Sequence, residues 1–183
     1  MSAAALTEVH YLGVVGRLRV AFLVFVAMAV QLTIASRLSL DGVHPDFMVL
    51  CAATAGVVAG PSRGATVGFV AGLLNDLFVP APLGLSALSF CLVGYVVGSL
   101  HAAVLRGSWF VPAATTIAAS AGGEVLYALI GAIVGQGQMI SDRLGLIAGI
   151  VGGVNGLVGL VAIPAFTWAM RPPAEPRKRI SRW

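Results

Sequence analysis

The sequence predicts an all-α protein, a polytopic bundle of about six transmembrane helices, and three observations carry that prediction. The 183 residues are 58% hydrophobic and only 10% charged, too little polarity to clothe a water-soluble globule. The hydrophobic residues gather into six runs separated by short segments rich in Gly, Pro, Asp and Ser. A hydrocarbon core roughly 30 Å thick takes about 20 helical residues per crossing, so six crossings use nearly the whole chain. Finally, the basic residues fall on alternate connections. With the N-terminus in the cytoplasm, Arg17, Arg19, Arg63, Arg106, Arg171, Arg177, Lys178, Arg179 and Arg182 lie inside, and only Arg37 and Arg143 outside, as the positive-inside rule requires.

The first run, residues 20–36, follows Glu8, His10, Arg17 and Arg19 and is succeeded by no small-residue cleavage pattern, so it reads as a retained span and not a signal peptide. The second and third runs, 47–60 and 65–79, are short. The stretch from Asp46 to Val79 gives about 51 Å of helix against roughly 60 Å for two crossings. Local thinning or a re-entrant hairpin meets the shortfall. Arg63 at the tip fits two crossings, and either arrangement leaves the parity of the chain unchanged. The runs 83–105, 109–134 and 144–170 are full length, and Trp109 and Trp168 fall where indoles anchor at the cytoplasmic interface. Residues 1–170 thus form a single transmembrane domain in a bacterial cytoplasmic membrane. Residues 171–183, RPPAEPRKRISRW, form a proline-rich basic tail. Both termini are cytoplasmic. The tail suits anionic lipid, each basic residue contributing on the order of 1 kcal/mol near the leaflet. Because cytoplasmic loops absorb the net charge of +4, no nucleic-acid partner is implied.

Glycine recurs at four-residue spacing: Gly56 and Gly60, Gly68 and Gly72, Gly94 and Gly98, Gly131 and Gly135, then Gly145, Gly149 and Gly153 with Gly156 and Gly159. Such faces let membrane helices approach backbone to backbone. The last run is the strongest case, although glycine is also simply common in membrane helices.

Chemistry is sparse. There is no Walker loop, HExxH or CxxC, and His10, His44 and His101 lie on separate segments, so no catalytic residue, metal site or cofactor is expected. Cys51 and Cys91, both inside apolar runs, read as inert thiols. Two acids fall within spans, and intramembrane carboxylates are functional candidates because burying them unpaired is costly. Asp76 lies about 5 Å from the outer end of its run and reads as a hydrated interfacial acid. Glu124 and Asn155, about 15 and 16 Å deep measured from the outer ends of their own runs, read as a level intramembrane pair joined by a hydrogen bond. That pair is either a structural staple or a proton or ligand site.

From Pro45 the chain reads PDFMVL, then GPSRGATVGFVAGLLNDLF, then PLGLSALSFCLVGYVVG. This succession resembles the rod shape-determining MreD family over about the middle third of the chain. The positions carrying the resemblance are Pro45, Asp46, Gly68, Gly72, Asp76, Pro82, Leu83 and Gly84, and they are the candidate partner or packing surface. The resemblance implies a non-enzymatic membrane component of the elongation machinery, working with an MreC-like protein and with a RodA-type glycosyltransferase and its class B penicillin-binding partner. It also implies a fold similar to the substrate-binding subunits of energy-coupling-factor transporters. A small-molecule transporter subunit is therefore the alternative, weakened because the first run lacks the AxxxA face with which those subunits meet their coupling protein.

Overall fold

A computed structural model describes residues 13–35, 43–103, 111–136, 140 and 142–171. Arg37, Arg106, Trp109 and the tail beyond Arg171 lie outside the described residues, as do the expectations placed on them. The described residues form six α-helices: α1 Val14–Val30, α2 Phe47–Ala59, α3 Pro61–Asp76, α4 Leu85–Ala103, α5 Val111–Ile133 and α6 Leu144–Ala169. A wider π turn, Gln31–Ala35, continues α1. Every expected run became a helix. The boundaries moved most where polar residues open a helix: α1 already contains Arg17 and Arg19, and α3 begins on Pro61–Ser62–Arg63 because proline suits a first helical position.

Four helices, counting α1 with part of its π turn, are long and apolar enough to cross a membrane. The other two are short. At 13 and 16 residues, α2 and α3 measure about 20 and 24 Å. They are joined by Gly60 alone, whose φ of 84° and ψ of −179° form a backbone conformation open to glycine and little else.

Helix α2 is the centre of the bundle. It is apolar all round, with every residue from Phe47 to Val57 buried, as expected of a helix enclosed on all sides, and it packs against all five others. The most extensive pairing is between α3 and α4. A methyl group at Gly64, Gly68 or Gly72 would run into the α4 backbone at Gly94, Phe90 and Ser86–Ala87 respectively, and one at Gly56 would meet Gly94 and Gly98. In lipid, where no hydrophobic force draws helices together, such close approach supplies the packing energy. In α6 the expected stripe divides. Gly156 and Gly159, with Gly152, pack on Ile117, Thr116 and Ala121 of α5, whereas Gly145, Gly149 and Gly153 have no atom within 4 Å of the added methyl. The face that α6 buries is thus rotated from the one the four-residue spacing suggested.

Relative depth follows from two fixed points. Arg19 of α1 stacks over the Trp168 ring of α6, 4.4 Å from its centroid. Twelve residues on in α1 and thirteen back in α6, Gln31 and Asn155 both bond to the residues that open α2, about 18–20 Å from the Arg19–Trp168 level. Helix α6 then runs on for eleven residues, about 16 Å, to Leu144. All of the shortfall of α2 therefore lies at the end remote from Trp168.

Candidate functional site

At that level the polar side chains of the bundle converge. Asp46 is the N-cap of α2, its Oδ1 accepting from the backbone N–H of Met48 (2.8 Å) and Val49 (3.3 Å), which satisfies donors that a helix start leaves orphaned. Gln31 Oε1 accepts the N–H of Phe47 (2.6 Å), while its Nε2 donates to Asn75 Oδ1 (3.2 Å) and more loosely to Asp46 Oδ1 (3.4 Å). Asn75 Nδ2 donates in turn to Ser86 Oγ (3.3 Å). From α6, Asn155 Nδ2 donates to the Asp46 carbonyl oxygen (2.7 Å). Five helices are stitched together here. The π turn beginning at Gln31 is a distortion frequently found at functional positions.

Asp76 serves the neighbouring helix. It is 3% exposed, and its two oxygens accept from the N–H groups of Gly84 (2.8 Å), Ser86 (3.0 Å) and Ala87 (3.3 Å), so the last residue of α3 caps α4 from across the loop. Gly84 presents its N–H from a φ of 95°, again a conformation suited to glycine. The expectation of a hydrated interfacial acid is therefore corrected. Helix α3 stops short of the remote end and the loop folds back over its final carboxylate, placing charge where three backbone donors and a helix N-terminus stabilise it.

A second correction concerns the pair Glu124 and Asn155. Asn155 bonds to the Asp46 carbonyl, and Glu124, which is half-buried, has no hydrogen-bond or ion-pair partner among the described residues. The reason is register. Ile117 lies against Gly156 and Ala121 against Gly152, so Asn155 comes level with the turn around Ala118, and Glu124 sits about 9 Å further along α5. Depths counted from separate helix ends do not contain this offset. Glu124 is instead within electrostatic reach of Asp46, and Tyr127 lies within electrostatic reach of Asp46, Asp76 and Glu124.

Of the residues singled out in the sequence, the structure brings Asp46, Asp76, Gly84 and Asn155 into one framework, while Gly68 and Gly72 hold α3 against α4. Pro82 and Leu83 lie on the connecting loop, with Leu83 73% exposed beside exposed Leu77 and Phe78. Gln31 and Asn75 were missed. Both are amides inside apolar runs, a signal that attention to charged groups alone passes over. Cys51 and Cys91 are free thiols, and among the described residues no cluster of three His, Cys, Asp or Glu side chains is placed to hold a metal. The network caps, staples and orients helices. A separate apolar groove of about 370 Å³ lies between α4 and α5, lined by residues including Leu92, Val96, Leu100, Ala118 and Gly122.

The Pro45–Asp46 cap, the Gly68–Gly72 face, the Asp76 cap and the Gly84 turn are thus the framework of one structural unit, and a family model described as rod shape-determining protein MreD matches residues 14–151. The chain belongs to the MreD family. It is accordingly a membrane protein of the rod-shape system, from a family that determines cell shape and is not known for enzymatic activity. The match spans α1 through the first turns of α6 and includes every member of the polar network except Asn155. Comparison with curated proteins and with solved structures yields no significant match, so the likeness to energy-coupling-factor subunits rests on the family resemblance alone.

Proposed function

We propose that this chain is a non-enzymatic scaffold of the bacterial elongation complex, crossing the cytoplasmic membrane six times with both termini inside and docking an MreC-like protein beside a RodA-type glycosyltransferase and its class B penicillin-binding partner. The observation that carries this reading is the family match together with the work its characteristic positions perform. Asp46 and Asp76 cap helices, and Gly68 and Gly72 close a helix pair, so these residues build a rigid frame. What the frame presents is the loop after α3, where Leu77, Phe78 and Leu83 are exposed. In this reading the loop, with Pro82, is the partner surface on the outer face, and the buried positions act by fixing its shape.

Photocrosslinkers placed at Phe78, Pro82 and Leu83 in native membranes, followed by mass spectrometry, should recover an MreC-like protein. Depletion should round or swell rod-shaped cells. Recovery of an ATPase-coupling subunit, or of a vitamin that survives purification, would replace the scaffold with the transporter reading.

A further inference from the structure

The polar groups that capping does not engage also converge. Gly159 of α6 lies against Thr116 of α5 and Leu50 of α2. One turn further from Trp168, Ser120 follows Thr116 on one face of α5 and Asn155 precedes Gly159 on one face of α6. The two are thereby brought together beside the start of α2. Both are 0% exposed, and each keeps an oxygen, Ser120 Oγ and Asn155 Oδ1, that has no hydrogen-bond partner among the described residues. Glu124 stands one further turn along the same side of α5. Its neighbour Gly123 packs on Val49, which brings Glu124 within electrostatic reach of Asp46. The capping bonds of Asp46 all fall on Oδ1 and leave Oδ2 out.

The unengaged atoms are therefore almost all acceptors, and two of the groups are carboxyls. Among the described residues, the elements around them bring little positive charge. Helix α1 contributes Gln31, α2 Asp46 with exposed His44 ahead of it, α3 Asn75 and Asp76, α4 Ser86 and α5 Tyr127. Arg19 and Arg143, on α1 and at the head of α6, are each about 18 Å along their helix axes from Gln31 and Asn155. Buried acceptors beside half-buried carboxyls at membrane depth call for a compensating positive charge.

We propose that this cluster is a buried binding site for one monovalent cation, a proton or an alkali-metal ion, held by Glu124 with Asn155 Oδ1 and Asp46. Two carboxyls among neutral oxygens suit a single charge. The set lacks the third acidic, His or Cys ligand that a tightly held transition metal would draw on. The site stands on this geometry and does not depend on the scaffold reading.

The test is thermal unfolding of the full chain in nanodiscs, wild type against Glu124→Gln, in NaCl, KCl, LiCl and N-methylglucamine chloride at equal ionic strength and over a range of pH. A ligand that binds only the folded state raises its melting temperature with concentration. The wild type should therefore gain several degrees with one alkali ion over N-methylglucamine, or respond to pH alone, and Glu124→Gln should lose that response. The first pattern identifies a metal ion and the second a proton. Identical responses from the two proteins overturn the site. Should Glu124→Gln fail to fold, infrared difference spectra of the wild type decide: a carboxyl band that changes on adding the alkali ion at neutral pH, or that titrates there, where solvent-exposed acids are already ionised, supports the site, and the absence of both changes rejects it.

Discussion

At the scale of single residues, the carboxylate of Asp76 accepts from three backbone N–H groups of the neighbouring segment. Replacement by alanine leaves three N–H groups without an acceptor, two of them, at Ser86 and Ala87, buried, and a buried unsatisfied donor costs about 1–3 kcal/mol. With partial relaxation, Asp76→Ala should cost on the order of 3 kcal/mol or more, whereas Asp76→Asn, which keeps one acceptor, should cost about half as much. Chemical denaturation of both variants in the same detergent checks the ratio, and equal losses would mean that charge and not the donor count dominates. Asn155→Ala should cost about 1–2 kcal/mol by stripping the Asp46 carbonyl of its donor. The polar positions themselves were legible in the sequence, because a carboxylate or amide inside an apolar run is conspicuous. Their partners were not. Hydropathy places a residue along its own helix, but the offset between helices is set by how Ile117 and Ala121 seat against Gly156 and Gly152.

At the scale of helices, glycine spacing foretold close packing in α2, α3 and α4, and misjudged which side of α6 is buried. The distinction is measurable. Gly64→Ala and Gly94→Ala each push a methyl group into the facing backbone, and should destabilise by about 1–3 kcal/mol, the usual cost of overpacking. Gly149→Ala meets nothing within 4 Å and should be neutral or stabilising by up to about 1 kcal/mol, since alanine favours the helix. A sequence pattern with a four-residue period specifies a stripe of small residues, yet it does not say whether a neighbouring helix occupies that stripe. Only the contact of α5 with Gly152, Gly156 and Gly159 decides it.

At the scale of the whole molecule, the all-helical bundle and the shortness of the second and third runs were both readable from apolar length. The side on which those helices fall short was not, because it depends on the level at which Gln31 and Asn155 meet the start of α2. Reporter fusions should score cytoplasmic at residues 63, 107 and 183 and external at 42, 81 and 139. A reversal confined to residue 63 would make α2 and α3 a re-entrant hairpin dipping from the outer side, and one at residue 183 would overturn the six-span topology.

The bond between Asn155 and the Asp46 carbonyl spans 109 residues, whereas Asp76 finds its three donors within eight to eleven. On a ribosome working at roughly 5–20 residues per second, the cap on α4 is available almost as soon as α4 emerges, but Asp46 waits about 5–20 seconds longer for its partner on the last helix. The α3–α4 unit is thus ready early, and the start of α2 gains this bond only when α6 arrives. Quality-control proteases sampling the membrane would meet, until then, an unfinished protein whose central helix still lacks a bond to its final neighbour.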